Sequence, residues 1–234
     1  MSKPLVWVTG ASRGIGAALA RHFVEEGREV GLFVRNKEGM ESANLAGAEN
    51  SRSLIKVFAA DLTDKGAINR AITEALAHVG VPDILINNAG MNVRGTLEPS
   101  VHAFEAMLQV NLIAPYLFCQ AVVPGMKHRG SGMIINIGSV CSKSGFAGSG
   151  AYCATKFALL GLTESLFHEL SPHGIKVTAI CPSWVNTDMA AYADHDKSEM
   201  IQPSDIVNTV EYLRRLSPRA CPKEVVIENT VRNP

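Results

Sequence analysis

The sequence carries no excess of charge: Lys and Arg together number 22, Asp and Glu together 22, and the formal net charge is zero. Proteins that grip a nucleic-acid backbone or an anionic lipid surface concentrate positive charge on one face. The balance argues against both as partners. Paired cysteines are also missing. Cys119, Cys141, Cys153, Cys181 and Cys221 are odd in number, and none stands in a C-x-x-C spacing. Most sit among apolar or small residues, as expected of buried, reduced thiols in a cytoplasmic protein rather than of disulfides or a zinc site. No leader peptide and no apolar run of membrane-spanning length is evident, and Leu5-Val6-Trp7-Val8 reads as strand at once. Linkers, low-complexity segments and internal repeats are lacking too. The 234 residues are then left for a single domain with a sizeable core.

What is present is a regular alternation. Short apolar runs at 5–9, 29–34, 54–60, 83–87, 133–138, 175–181 and 225–228 predict strands. Longer amphipathic stretches at 14–26, 65–79, 98–126, 151–170 and 205–216 predict helices between them. Gly27 stops the first helix, Pro115 marks a kink or phase change in the third, and Ser204 reads as N-cap of the last. Residues 36–53 are polar and predict a helix plus loop. Alternating strands and helices imply an α/β fold, a doubly wound parallel sheet with helices on both faces. Continuous apolar strands fit a sheet covered on both sides.

Thr9-Gly10-Ala11-Ser12-Arg13-Gly14-Ile15-Gly16 joins the first strand to the first helix. Glycines at such a turn let the backbone approach a pyrophosphate at the helix N-terminus. The second strand ends Phe33-Val34-Arg35-Asn36, without the carboxylate that accepts from an NAD ribose. Arg35 there suits a 2′-phosphate, and Arg13 offers a second positive charge. Both arginines also suit a solvated loop, but the missing acid favours NADP(H) over NAD(H). Asp61, in Asp61-Leu62-Thr63-Asp64, can accept from an adenine amino group; it or its neighbours Thr63 and Asp64 could instead cap the next helix. Asn87-Asn88-Ala89-Gly90 leaves room for an adenosine at the fourth strand's end.

Tyr152 and Lys156 lie four apart within Tyr152-Cys153-Ala154-Thr155-Lys156, so on a helix they share a face. An ammonium beside a phenol favours phenolate and lowers the tyrosine pKa. Such a tyrosine is an acid for carbonyl reduction or a base for alcohol oxidation. The same spacing also occurs as a half-buried aromatic beside a solvated amine, and only the other motifs distinguish the two.

From Thr9 to about residue 217 these motifs, with Asn111, Ser139 and the segment from Pro182 to Met189, resemble the short-chain dehydrogenase/reductase family. The glycine loop and Gly138-Ser139-Val140 look most like 3-oxoacyl-acyl-carrier-protein reductases. The resemblance implies one Rossmann-like domain over 1–234, with about seven parallel strands and a substrate lid near 189–203. It implies that Ser139 holds the substrate oxygen, Tyr152 gives the proton, Lys156 binds the nicotinamide ribose and lowers the tyrosine pKa, and Asn111 holds a water linking Lys156 to solvent. Cofactor contacts carried over are Gly10, Ser12, Arg13, Gly14, Ile15, Gly16, Arg35, Asp61, Leu62, Asn88, Ala89, Gly90, Tyr152, Lys156, Pro182, Val185 and Thr187. The implied activity is NADPH-dependent reduction of a ketone or aldehyde, reversible and without a metal. A non-catalytic NADP-binding sensor on the same fold is the alternative. Met91, Val93, Cys141, Phe146, Trp184 and Tyr192 are candidates for lining the substrate pocket.

Three features depart from the family. Ser183 replaces a glycine after Pro182, the lid is short and polar, and the chain ends without a Gly-rich tail. The last leaves homodimer and homotetramer both open. His168-Glu169 with His173 lacks zinc spacing, Asp194-His195-Asp196 reads as solvated lid, and Cys153 points away from the Tyr152 face.

Overall fold

The computed structural model describes residues 4–36, 53–191 and 196–230. Seven parallel strands lie in the order β3-β2-β1-β4-β5-β6-β7. They are β1 Leu5–Thr9, β2 Glu29–Val34, β3 Ile55–Ala59, β4 Ile84–Asn87, β5 Gly132–Ile137, β6 Ile175–Pro182 and β7 Glu224–Ile227. The helices are α1 Gly14–Glu25, α2 Lys65–His78, α3 Val101–Leu108, α4 Ala114–Arg129, α5 Gly150–Leu170 and α6 Pro203–Arg215. Residues 37–52, where a helix plus loop is expected, and Tyr192 lie outside the described residues.

Strand side chains alternate between two apolar layers. On one side Val6, Val8, Val30 and Leu32 meet Leu19 and Phe23 of α1 and Ile206, Val210 and Leu213 of α6. On the other, Trp7, Phe33, Leu85 and Ile134 meet Ile68 and Ile72 of α2 and Phe118, Val122 and Met126 of α4. All five residues of β1 are buried, which is why the strand reads as an unbroken apolar run. Phe33 and Phe118 pack edge to face with centroids 4.7 Å apart, a contact worth about 0.5–1.5 kcal/mol beyond its burial. Outside the apolar layer, His22, Glu26 and Glu211 cluster between α1 and α6. Arg28 and Arg214 bind the two carboxylates, so this group reads as an interhelical ion network.

Helix ends follow local chemistry, with one correction. Asp64 caps α2 by accepting from Gly66 N–H, and Asp61 does not cap it. Ser100 caps α3 through Ala103 N–H. For α6 the cap is Gln202, not Ser204. Pro203 occupies the first helical position, where its missing N–H is harmless, and this moves the boundary back. Asp205 then accepts from Gln202 N–H at 2.8 Å.

The third helical stretch runs unbroken from Val101 to Arg129, but Gln109–Ile113 is wound as π-helix. The 29 residues are long and apolar enough to cross a bilayer, contrary to the expectation that no such segment exists. Here Phe118, Cys119, Val122 and Met126 are instead buried in the core. Pro115 follows the π segment directly. It lacks the N–H that an α-helical register would offer the Asn111 carbonyl, which explains a phase change at this place.

Polar groups tie the layers near the strand ends. Asn87 Nδ2 donates to Asn136 Oδ1 at 2.8 Å, and Asn136 Nδ2 donates to Thr163 Oγ1 at 2.8 Å. The three residues link β4, β5 and α5 and are almost fully buried. Removing the middle member strands a buried donor and a buried acceptor. Asn136→Ala is expected to lower unfolding free energy by about 1–3 kcal/mol, measured by urea denaturation. A change within error would show the chain to be dispensable.

Candidate active site

The site is built on the carboxyl ends of β1, β4, β5 and β6. At β1, Gly10 and Gly14 have left-handed φ of 66° and 56°. A Cβ on Gly10 would stand 2.8 Å from Ala89 Cα, and one on Gly16 would stand 2.3 Å from the Gly10 carbonyl oxygen. Backbone contact this close admits only glycine. The turn is locked to the end of β4. Thr9 Oγ1 accepts from the N–H groups of Asn88 and Ala89, and Asn88 Nδ2 donates to the carbonyls of Thr9 and Gly10. Arg13 occupies the N-cap of α1 and no side chain caps the helix, so its positive end faces the turn. A cradle this narrow, at an uncapped helix N-terminus, fits a pyrophosphate.

Beyond β2, Arg35 is exposed and close enough to Asp61 to influence it. The Asp61 carboxyl is held below its usual pKa, first by hydrogen bonds from Thr63 N–H and Oγ1 at 2.9 and 2.8 Å and then by the Arg35 charge. Arg13 has a different partner. Its Nη1 lies 3.0 Å from Asp188 Oδ2, linking the glycine turn to the loop after β6. The second positive charge expected beside Arg35 is thus matched by Asp188. With the two side chains 69% and 71% exposed, the pair contributes about 0–1 kcal/mol. Thr187 lies against the turn as well, since a Cβ on Gly14 would approach its Cγ2 to 3.0 Å.

Lys156 is buried, and its Nζ donates to the Ile137 carbonyl at 2.8 Å. Burial lowers its pKa to about 8, against smaller opposing effects of Cys181 and Cys141. Nζ lies 5.7 Å from the centroid of the Tyr152 ring. A Cβ on Gly90 would lie 3.8 Å from Nζ, so the end of β4 forms the near wall beside the ammonium. Met189 Cε and Asn111 Oδ1 border the same position at 3.6 and 3.7 Å. Ser139 follows β5, and its Oγ accepts from Cys141 N–H at 3.1 Å. Ser142 Oγ in turn accepts from Ser139 N–H. An oxygen already accepting from a backbone N–H keeps its own hydrogen for donation.

Asn111 sits in the π segment, fully buried. Its Oδ1 accepts from Met91 N–H, and its Nδ2 donates to the Met91 carbonyl and to Thr155 Oγ1. Both hydrogens of the side-chain amide are thus taken within the protein, while Oδ1 accepts from one backbone N–H. Pro115 leaves the Asn111 main-chain carbonyl without its α-helical donor.

Around Tyr152, the residues Met107 and Ala151 form a small apolar cluster joined by Met91, Val93, Phe104 and Cys141. Three of the expected pocket residues therefore gather beside the tyrosine, together with Phe104, which sequence reasoning passed over. Phe146 is exposed and is not in that cluster. Burial raises the Cys141 thiol to about 11, and contact with the Cys153 thiol adds to the rise. Both thiols are free, as expected. At the far end of the segment expected as a lid, 189–203, the chain is tied down. Met200 and Ile201 are buried, and Ile201 forms an isolated parallel bridge with Val185. Thr155, Asp188 and Ser142 were also missed. Thr155 stood inside the singled-out stretch, whereas Asp188 carries no sequence signal that its partner is Arg13.

Residues 4–198 match the family model described as short chain dehydrogenase. An uncharacterised oxidoreductase of Staphylococcus aureus is 35% identical over 206 residues, covering 88% of each chain. A betaketoacyl-[ACP] reductase from Bacteroides thetaiotaomicron superposes with a TM-score of 0.84 at 38% identity, over 98% of each chain. A metagenomic short-chain oxidoreductase solved with NADP superposes with a TM-score of 0.83 at 33% identity, over 98% of this chain and 99% of the other. With its glycine turn, strand order and near-complete alignment taken together, the chain belongs to the short-chain dehydrogenase/reductase family of oxidoreductases.

Proposed function

We propose that this oxidoreductase reduces a ketone or aldehyde to an alcohol with NADPH, reversibly, with Tyr152 as the proton donor. The observation that carries the reading is the buried Lys156 ammonium beside the Tyr152 ring, against the end of β4 to which the glycine turn is locked. Bound in that cradle, the dinucleotide supplies a hydride. The chain supplies the rest. Ser139 donates its free hydroxyl hydrogen to the substrate oxygen. Tyr152 donates its phenolic proton to the same oxygen as negative charge develops there. Lys156 keeps a positive charge near the phenol and stabilises phenolate after transfer. The proton is replaced through Lys156 and a water held at the Asn111 carbonyl. Gly10, Ser12, Gly14, Ile15 and Gly16 hold the pyrophosphate, while Asp61, Leu62, Asn88, Ala89 and Gly90 border the adenosine. Pro182, Val185 and Thr187 border the nicotinamide. The segment 189–203, of which 192–195 lie outside the described residues, is the candidate substrate lid.

Preference for NADP(H) rests on Arg35, on the lack of an acid at the end of β2, and on the NADP-bound metagenomic relative. Arg13 contributes less than the sequence implies, because Asp188 already matches its charge.

Loss of nicotinamide absorbance on mixing purified protein, NADPH and a panel of carbonyl compounds tests the reading. Binding without turnover across a broad panel would favour the sensor instead. Tyr152→Phe is expected to lower kcat by about 10²–10⁴-fold while NADPH binding stays near normal, and near-normal turnover would sink the assignment. Arg35→Asp is expected to reduce the NADPH-over-NADH ratio of kcat/KM by about ten- to a hundredfold, since a charged hydrogen-bonded contact is replaced by repulsion. An unchanged ratio would remove Arg35 from the cofactor site. Lys156 is charged below its lowered pKa of about 8 and neutral above it. Reduction depends on that charge, so kcat/KM for the carbonyl is expected to fall as pH rises through about 8. A profile level across that range would detach Lys156 from the proton step.

A further inference from the structure

The segment after β7 has no part in the chemistry above, yet Asn229 is bonded through both ends of its amide. Oδ1 accepts from Trp184 N–H at 3.1 Å, and Nδ2 donates to the Glu199 carbonyl at 3.0 Å. Trp184 lies where the chain leaves β6. Glu199 lies where it returns, directly before the buried Met200 and Ile201. One short side chain therefore closes the base of the whole loop.

The surrounding bonds point the same way. Ser183 N–H donates to the Ile227 carbonyl at 2.8 Å, which holds the start of the loop beside β7. Ile201 N–H donates to the Trp184 carbonyl at 3.0 Å, and Asn186 N–H donates to the Ile201 carbonyl at 2.9 Å. Trp184 is thus fixed on its N–H side by Asn229 and on its carbonyl side by Ile201. The next residues are Val185 and Thr187, with Thr187 lying against Gly14 of the glycine turn.

We propose that Asn229 is a positioning residue for the cofactor site: it holds the Trp184 peptide and the returning turn at Glu199 together, so that Val185 and Thr187 are set in place before the dinucleotide arrives. Without this clamp, binding must also order the loop, and affinity falls by the cost of that ordering. The chemistry requires an amide. Aspartate can accept from Trp184 but cannot donate to Glu199, and alanine does neither. The inference rests on the proposed function in taking Val185 and Thr187 as cofactor contacts.

The test uses full-length Asn229→Ala and Asn229→Asp, with Glu228→Ala as the neighbouring exposed control. Three readouts are taken: hydrogen exchange at the Trp184 amide, NADPH affinity by fluorescence titration, and kcat at saturating NADPH. Asn229→Ala is expected to speed Trp184 exchange and weaken NADPH binding by about tenfold, the scale of losing one to two hydrogen bonds. Asn229→Asp should fall between Asn229→Ala and the unaltered protein, Glu228→Ala should change nothing, and kcat should hold. A purely structural role would lower the thermal midpoint without this split between affinity and kcat. Should Asn229→Ala fail to fold, Asn229→Asp decides by the same readouts. Faster exchange with unchanged NADPH affinity overturns the proposal, as does slower turnover with unchanged affinity. Absence of NADPH binding by the unaltered protein instead overturns the proposed function. The Trp184 exchange comparison then still reports whether the clamp exists.

Discussion

A lysine ammonium without bulk water around it is the constraint on which the site depends. Desolvation disfavours the charge, and the fold answers with the Ile137 carbonyl at the end of β5. Pairing of β5 with β4 ends at Asn136, one residue before that carbonyl, while β5 stays paired with β6 through Ile137. Ser139 in turn is fixed by the Cys141 and Ser142 contacts of the following short turn. The position of the cation, the free hydroxyl and the tyrosine ring thus descends from one strand end packed against one helix. The glycine turn is held separately, chiefly by bonds between the ends of β1 and β4.

Much of this was legible because it is local. Fully buried strands read as apolar runs, and β1, β2 and β6 lie almost where those runs do. Glycines forced by close backbone approach appear as glycines whatever surrounds them. The places where reading fell short involve partners distant in the chain or competition between neighbours. Arg13 and Asp188 are 175 residues apart, and no local pattern joins them. Ser204 is a good cap by type, but Pro203 takes the first helical position and hands the cap to Gln202. Pro115 signalled a disturbance in its helix, yet the altered winding lies just before it, because the missing N–H affects the carbonyl one turn back.

The π segment shows how one irregularity serves two ends. It keeps α3 and α4 in one continuous helix, so that α4 packs Phe118 and Met126 into the core while α3 contributes Met107 to the apolar cluster at Tyr152. It also turns Asn111 inward between the β4 loop and α5, where an asparagine of low helical propensity finds partners for every polar hydrogen of its side chain. Those two donated bonds, with the one that Oδ1 accepts from Met91 N–H, offset the local cost of irregular winding.

That full commitment of Asn111 has a consequence for how variants are interpreted. Leucine matches its shape and offers no polar atom, aspartate lacks the donors, and glutamine is one methylene too long for the same three partners. No replacement isolates one role of the side chain from another. Inactivity on changing this residue is therefore ambiguous evidence about proton transfer, since the joint between Met91 and Thr155 is lost in the same stroke.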